Sequence, residues 1–270
     1  AVGPTALLLG EVTTDNPVRF TGSLLHAATD FAPQRALLAW LGADEAAVDT
    51  ATTRSALCRA ALARGTPASV LSFTATHDQP RLLTRLGDAR LARLGGLITL
   101  LLAPVPAIYY GDEVGLCAPS TEPGAATRDF DDAWPDRRPF DWTEATWDRE
   151  TQDLIRALIR LRRRLPALHA GSEEFLTLPD APDVLAFRRR SGDEVVELYA
   201  RRADRDAPPT TAGSSLEFAL AVDAASGATL LLSCGEATLL PSEEGSARLR
   251  LGLSSAAVIL RHAQPAALSL

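Results

Sequence analysis

Short apolar runs alternate with helix-like segments from residue 6 to about residue 165, and this alternation limits the possible folds more than any other feature. The strand candidates are residues 6–10, 23–28, 69–74 and 107–110, and the helix candidates are residues 33–40, 51–64, 89–102 and 149–165. Short apolar runs bounded by turn residues are typical of strands buried in a parallel sheet. The alternation therefore predicts about four parallel β/α units, which is half of an eight-stranded (β/α)8 TIM barrel of about 250 residues.

From about residue 172 the pattern changes to short apolar or alternating runs separated by Gly, Pro, Ser and Asp. The clearest of these runs are residues 184–187, 195–199, 229–233 and 256–260. Regularly spaced short strands with turn signals between them predict an all-β antiparallel sandwich. We therefore predict two domains, a partial (β/α)8 barrel over residues 1–168 and a C-terminal β-sandwich over residues 172–265.

Composition argues against several classes of protein. The formal net charge of −7 over 270 residues is unlike that of a nucleic-acid binder, which would normally carry a basic field. No apolar run approaches the roughly 20 residues of a membrane span. The three cysteines are widely spaced and form no C-x-x-C pair, which argues against a zinc site. The oligomeric state and the compartment stay open, with the cytoplasm slightly favoured.

Acidic residues follow three of the predicted strands. Glu11 follows the first, His77 and Asp78 follow the third, and Asp112 and Glu113 follow the fourth. In β/α barrels the active site lies at the carboxyl ends of the strands, and converging carboxylates suit glycoside hydrolysis. One carboxylic acid protonates the leaving oxygen, and a carboxylate attacks or stabilises the anomeric carbon. Taken singly, each residue has an ordinary alternative role as a helix cap, a turn residue or a surface charge.

Four motifs, in order along the chain, carry a resemblance to one enzyme family. They are Leu8-Leu-Gly-Glu-Val12, Ser72-Phe-Thr-Ala-Thr-His-Asp-Gln-Pro-Arg81, Ala103-Pro-Val-Pro-Ala-Ile-Tyr-Tyr-Gly-Asp-Glu-Val-Gly115 and Pro135-Asp-Arg-Arg-Pro-Phe-Asp-Trp142. The second resembles the F-x-x-N-H-D-x-x-R stretch of the α-amylase family of glycoside hydrolases (family 13), and the third is similar to its P-x-I-Y-Y-G-x-E-x-G strand end. The first resembles the family's fifth strand, and the last its R-R-P-M-x-W loop. The resemblance covers about residues 6 to 165, and the trailing β domain is also typical of the family.

The resemblance implies a role for each matching residue. Glu11 matches the general acid/base, and Asp78 matches a third carboxylate that holds sugar hydroxyls and favours the charged transition state. His77 matches a histidine that hydrogen-bonds the sugar at the scissile bond. Arg81 and Tyr109 match residues that bind the substrate or brace the site. The implied substrates are α-linked glucose oligosaccharides, and the implied reaction is retaining hydrolysis or transglycosylation.

The chain departs from the family pattern in two respects. Thr76 stands where the family has Asn, so we expect the local hydrogen bonds to differ, because a hydroxyl replaces an amide. The family's nucleophile is an Asp on the fourth strand in a G-x-R-x-D context, and the ten residues before Glu11 do not contain it. Together with the absence of Met, this leads us to expect a longer protein, with the first half of the barrel upstream.

That expectation has consequences for ligands and for activity. No cofactor is implied for these residues, although a calcium site of the family draws on the other half of the barrel. We expect the 270 residues alone to show no turnover of malto-oligosaccharides, because removing a nucleophile abolishes most of the rate. Trp134 and Trp142 could each offer a flat face to a sugar ring, or could anchor the core or a loop.

Two other hypotheses compete with the enzyme. The chain could be a non-catalytic relative, a barrel kept for glycan binding or for assembly, which the substitution at Thr76 favours. It could also be a natural half-barrel that pairs with another chain to complete the site. Retention of Glu11, His77 and Asp78 argues against the non-catalytic alternative. A longer parent chain explains the absence of Met more simply than a natural half-barrel does.

Overall fold

The computed structural model describes residues 6–14, 16–22, 24–43, 47–64, 70–117, 135–137, 139–202, 215–220, 227–241 and 247–262. Its first part contains a four-stranded sheet in which neighbours along the chain are also neighbours in space, and every pair is parallel. The strands are β1 (Leu9–Gly10), β2 (Ala27–Thr29), β3 (Val70–Phe73) and β4 (Val105–Ala107). The prediction of parallel β/α units is thus confirmed over these residues.

The last of these strands lies earlier than predicted. β4 ends at Ala107, which pairs with Phe73, so residues 108–110 lie beyond the strand that was predicted to contain them. Pro106 lies within this strand and pairs with Ser72 at the edge of the described sheet. An edge position tolerates a residue without an N–H because that side needs no ladder hydrogen bond.

Six α-helices occur within the described residues. They are α1 (Phe31–Leu41), α2 (Thr50–Arg64), α3 (Leu82–Leu86), α4 (Ala89–Leu102), α5 (Arg149–Arg164) and α6 (Ala167–Ala170). An aspartate caps the N-terminus of α4 and another that of α5. The Asp88 side chain accepts from the amides of Arg90 and Leu91, and the Asp148 side chain accepts from the Thr151 amide. Such caps satisfy backbone donors that have no partner within a helix. Over the described part of the chain, no helix has both the length and the apolar character needed to cross a membrane.

The C-terminal part consists of two antiparallel sheets, as predicted for a β-sandwich. The strands are β5 (Ser172–Leu176), β6 (Val184–Ser191), β7 (Glu194–Arg201), β8 (Leu216–Ala219), β9 (Ala228–Cys234), β10 (Ala237–Leu240), β11 (Arg248–Leu251) and β12 (Ser255–His262). The order is β5-β6-β7-β12-β9 in one sheet and β10-β11-β8 in the other. Tyr199 and Ile259 of the larger sheet pack with Phe218 and Leu249 of the smaller one.

The opposite face of the larger sheet packs on the helices, because side chains alternate between the two faces of a strand. Leu198 and Val258 on that face belong to the same hydrophobic cluster as Leu94 of α4 and Leu158 of α5. All four side chains have at most 1 % of their surface exposed. One continuous hydrophobic core therefore connects the helices of the first part with the larger antiparallel sheet.

Arg189 makes several hydrogen bonds at the joint, the boundary between the helices and the larger antiparallel sheet. Its side chain is buried and donates to the main-chain oxygens of Leu102 (2.6 Å), Ala167 (3.0 Å) and Gly171 (3.0 Å). Leu102 ends α4 and Gly171 follows α6, where helices leave acceptors without internal partners, and the Ala167 oxygen also accepts from the Gly171 amide. Arg189 of β6 thus ties the larger sheet to the last turns of two helices.

Candidate active site

The parallel sheet brings the predicted acidic residues to one edge. Glu11 follows β1, His77 and Asp78 follow β3, and Asp112 follows β4, so all four lie beyond the carboxyl ends of their strands. Glu11 is exposed. Among the described residues, no hydrogen bond or ion pair joins Glu11 to the segment that carries Asp78. These two are related through the sheet, whereas the residues after β3 and β4 contact one another directly.

Residues 76–78 form a short turn after β3. The Thr76 hydroxyl oxygen accepts from the Asp78 amide at 3.2 Å, a contact in which a Thr or an Asn side chain supplies the acceptor. His77 and Asp78 have 61 % and 43 % of their side chains exposed, and His77 Nε2 lies 3.4 Å from Asp78 Oδ1. The turn therefore presents both predicted sugar-contacting side chains to solvent.

Arg137 holds this turn from another segment of the chain. Its Nε donates to the main-chain oxygen of His77 at 2.6 Å, and its Nη2 donates to Asp78 Oδ1. Sequence reasoning left Arg137 out of the predicted site, although the family-like motif around residues 135–142 contains it. The motif marked the segment, but Asp78 and Arg137 are 59 positions apart in the sequence, which gave no means of predicting the contact.

Arg81 lies beneath the turn and has no exposed surface. Its Nη1 donates to Asp112 Oδ1 at 3.1 Å, and its Nη2 donates to the main-chain oxygen of Asp136 at 3.2 Å. Its backbone amide donates to Asp136 Oδ2 at 2.9 Å. Arg81 was predicted to bind the substrate or to brace the site. A fully buried guanidinium with these partners fits the bracing alternative, and a sugar contact for it stays a prediction.

Two tyrosines cover the Arg81 guanidinium. Its carbon Cζ is 4.4 Å from the ring centre of Tyr109 and 4.7 Å from that of Tyr110, within the range of cation–π attraction. The Tyr109 hydroxyl also lies 3.4 Å from the main-chain oxygen of Asp136. Burial, followed by a hydrogen bond with Tyr110, raises the pKa of Tyr109 to about 12, so its hydroxyl is neutral at ordinary pH. These contacts give Tyr109 a bracing role, and a sugar contact for it stays a prediction.

Asp112 is the most perturbed carboxyl group of the site. Its side chain is 16 % exposed, with Oδ2 at 3.5 Å from the Thr74 hydroxyl. Burial raises the pKa of Asp112 to about 6, and the positive charge of Arg81 opposes this rise. Its charge therefore changes within a range of pH close to neutrality.

An exposed aromatic group follows on the segment before α5. Trp142 is 79 % exposed, and its ring centre lies 4.6 Å from that of Phe140. The segment is held by Asp141, whose side chain accepts from the Thr143 amide at 2.9 Å. The main-chain oxygen of Asp141 accepts from Trp147 Nε1 at 2.8 Å. Trp142 is therefore an exposed face on a braced loop, whereas Trp134 lies outside the described residues.

A small cavity lies beside Asp112, at the base of the candidate site. This cavity of about 50 Å³ is bordered by Asp112, Thr99 and Leu154. It has room for a few water molecules but not for a glucose ring. No group of three or more His, Cys, Asp or Glu residues among the described residues could hold a metal ion. The candidate site is the solvent-exposed surface at the carboxyl ends of the parallel strands.

The arrangement is consistent with comparisons to known proteins. The family model described as "Alpha amylase, catalytic domain" matches residues 10–154, more than half of the chain. A cyclomaltodextrinase of Geobacillus thermopakistaniensis (strain MAS1) is 25% identical over 77% of this chain and 33% of its own length. Neopullulanase 2 of Thermoactinomyces vulgaris is 25% identical over 73% of this chain and 32% of its own length. The chain thus spans about a third of the length of these curated relatives.

The α-amylase from H. orenii is a solved structure with the same fold. It superposes with a TM-score of 0.72 over 96% of this chain and 54% of its own chain, at 20% sequence identity. The coverage extends over both the parallel and the antiparallel sheets of this chain. At this identity the likeness concerns the fold.

Proposed function

The chain belongs to the alpha-amylase catalytic-domain family, and on that premise we propose that it is part of a retaining glycoside hydrolase or transglycosylase acting on α-linked glucose oligosaccharides. The fold is that of the family's barrel with a C-terminal β domain. One observation carries the proposal: the exposed His77–Asp78 turn stands at the carboxyl edge of the parallel strands and is held there by a second loop. The names of the related proteins are those of glycosidases, which gives the non-catalytic alternative no support.

The four parallel strands are proposed to be the second half, strands five to eight, of the barrel. Leu9 pairs with Ala27, Thr29 pairs with Leu71, and Leu71 pairs with Val105, so Leu9 and Val105 lie on one face of the sheet. These two side chains are 47 % and 43 % exposed. An apolar inner face and two open edges are what a barrel half presents without its complement.

The proposed mechanism is a double displacement. Glu11 protonates the leaving glycosidic oxygen while a carboxylate from the other half of the barrel attacks the anomeric carbon and forms a glycosyl ester. Glu11 then takes a proton from the water that hydrolyses the ester, or from a sugar hydroxyl in transglycosylation. Asp78 and His77 hold hydroxyl groups of the same sugar, and Asp78 stabilises the positive charge of the transition state.

The test uses the full-length protein with short malto-oligosaccharides and follows the anomeric configuration of the first product by NMR. We expect retention of configuration, and a loss of about 10²- to 10⁴-fold in kcat for Glu11→Gln, because a general acid is removed. Asp78→Asn should also lose most of the activity. Glu174→Gln, an exposed carboxylate of β5 that is 64 % exposed, serves as the control and should match the wild type.

Two results would contradict the proposal in different ways. An inert wild-type protein, or activity that survives Glu11→Gln, would overturn the assignment of function. Measurable retaining hydrolysis by the 270 residues alone would instead overturn the half-barrel assignment, since the proposed nucleophile lies elsewhere.

A further inference from the structure

The short segment Pro135–Arg137 reaches the site from a distant part of the chain and is anchored there by a buried carboxylate. Asp136 is 5 % exposed, and its two carboxylate oxygens accept from the Arg81 amide at 2.9 Å and from the Thr84 hydroxyl at 3.0 Å. Since Arg81 and Thr84 lie at the start of α3, the segment is attached to the beginning of that helix. The position of the next residue, Arg137, is thereby determined.

Arg137 points the other way, toward the exposed turn. Its guanidinium contacts two acceptors at once, the main-chain oxygen of His77 and Oδ1 of Asp78. The same oxygen Oδ1 is the one that faces His77 Nε2 at 3.4 Å. Within the described residues, no hydrogen bond reaches the other oxygen, Oδ2. One oxygen of Asp78 is thus held by protein, and the second is left for a ligand.

The form of the guanidinium explains why this contact orients the carboxylate. Its donors lie in one rigid plane, so two simultaneous hydrogen bonds restrict both the turn's backbone and the rotation of the Asp78 carboxylate. Thr76 adds a third restraint by accepting from the Asp78 amide. Because Arg137 and Asp78 are 41 % and 43 % exposed, water screens their attraction, and the pair adds little to folding stability.

We propose that Arg137 is a positioning residue that orients the Asp78 carboxylate toward the sugar, coupling the loop after β4 to the loop after β3. This inference rests on the proposed function. It accounts for the division of labour between two neighbours, a buried Asp136 that anchors the segment and an exposed Arg137 that reaches the site. Misorientation of a reacting group by about 1 Å can cost about 10²-fold in rate, so a weak surface pair can have a large kinetic effect.

The experiment compares Arg137→Gln and Arg137→Lys with the wild type in the full-length protein. We expect Arg137→Gln to lower kcat by about 10- to 100-fold while KM changes much less, because the contact acts on the transition state. Arg137→Lys should recover part of kcat, since an ammonium can hold one of the two acceptors. Arg250→Gln is the matched control, because it removes a pair with Glu217 whose side chains are 49 % and 34 % exposed in the β-sandwich. Thermal unfolding should be nearly unchanged in all three variants.

The outcomes separate this inference from the proposed function. Kinetics of Arg137→Gln equal to those of Arg250→Gln would overturn the positioning role and leave the proposed function standing. A loss of kcat with a matching loss of thermal stability, unrelieved in Arg137→Lys, would also overturn it in favour of a purely structural role. An inert wild-type protein would overturn the proposed function and this inference with it.

Discussion

Arg81 and Arg189 are both buried, yet their charges are balanced in different ways. Arg81, beneath the candidate site, donates to the Asp112 carboxylate and is covered by two tyrosine rings. Arg189, at the joint between the helices and the larger antiparallel sheet, donates to three main-chain carbonyls. Its Nη1 lies 3.8 Å from a Glu173 carboxylate oxygen, beyond hydrogen-bond distance.

Arg162 belongs with the joint and follows the same pattern as Arg189. It donates to the main-chain oxygens of Leu100 (2.7 Å), Leu168 (2.7 Å) and Pro104 (3.0 Å). Burial, and then the nearby charge of Arg189, lower the pKa of Arg162 to about 10. It still carries its charge at neutral pH, and the acceptors at helix ends carry the partial negative charge that balances it.

This difference separates a structural region from a functional one. Main-chain carbonyls do not titrate, so the groups that accept hydrogen bonds from Arg189 and Arg162 stay the same at any moderate pH. The Asp112 carboxylate beside Arg81 does titrate near neutrality, and it belongs to a loop at the same end of the strands as the candidate catalytic residues. We therefore expect substitutions at the joint to change stability without pH dependence, and substitutions at the site to change pH dependence or rate.

The largest effect is expected for Arg189→Met at the joint. It removes the Arg189 hydrogen bonds to three main-chain oxygens at the joint, which should lower the free energy of unfolding by about 3–5 kcal/mol. Urea unfolding at neutral pH measures this loss. The control is Arg190→Met, the exposed neighbour, for which a change of about 0.5 kcal/mol or less is expected. Equal losses of unfolding free energy in Arg189→Met and Arg190→Met would show that the hydrogen bonds of Arg189 do not stabilise the joint.

An intermediate effect is expected for Asp112→Asn at the site. The pKa of Asp112 is raised in the folded state from 3.8 to about 6, so the folded protein binds more protons than the unfolded one between these values. Stability conferred by this group is therefore greatest at low pH, and it declines as the pH rises through the window. The decline should total about 2–3 kcal/mol.

The measurement for Asp112 is urea unfolding at several pH values from 4 to 7, comparing the wild type with Asp112→Asn. The stability of the wild type relative to the variant should fall as the pH rises. The difference between Arg189→Met and the wild type should stay constant over the same window. If the difference between Asp112→Asn and the wild type is also constant over this pH window, the Asp112 carboxyl group does not titrate within it, and the expected contrast with Arg189 is wrong.

The smallest effect is expected for Thr76→Asn in the turn. The Asn side-chain oxygen can accept from the Asp78 amide as the Thr hydroxyl does, so stability should change by about 0.5 kcal/mol or less. Thr76→Val, which removes the acceptor, should cost about 1 kcal/mol. Thermal unfolding and turnover of both variants test this. A larger loss for Asn than for Val would mean that the hydroxyl does more than accept this hydrogen bond.

Most helices and the kinds of sheet could be predicted because their signals are local. The helix predicted over residues 89–102 occurs at those residues, since Asp88 caps its start and the apolar pattern sustains it. The last parallel strand was predicted over residues 107–110 but occurs at Val105–Ala107, and only the structure shows that Pro106 pairs with Ser72. The expectation that Thr76 changes local hydrogen bonds was general, whereas the structure gives the specific contact with the Asp78 amide.

The sequence by itself determined the family, the order of the strands along the chain and the acidic residues that follow them. These depend on periodicity and on short motifs, which are properties of neighbouring residues. Only the tertiary structure decided that Arg81 is buried, that Asp136 anchors it and that Arg137 reaches Asp78. The physical reason is distance along the chain: Arg81 and Asp136 are 55 residues apart, and charges so far separated meet only where packing brings them together.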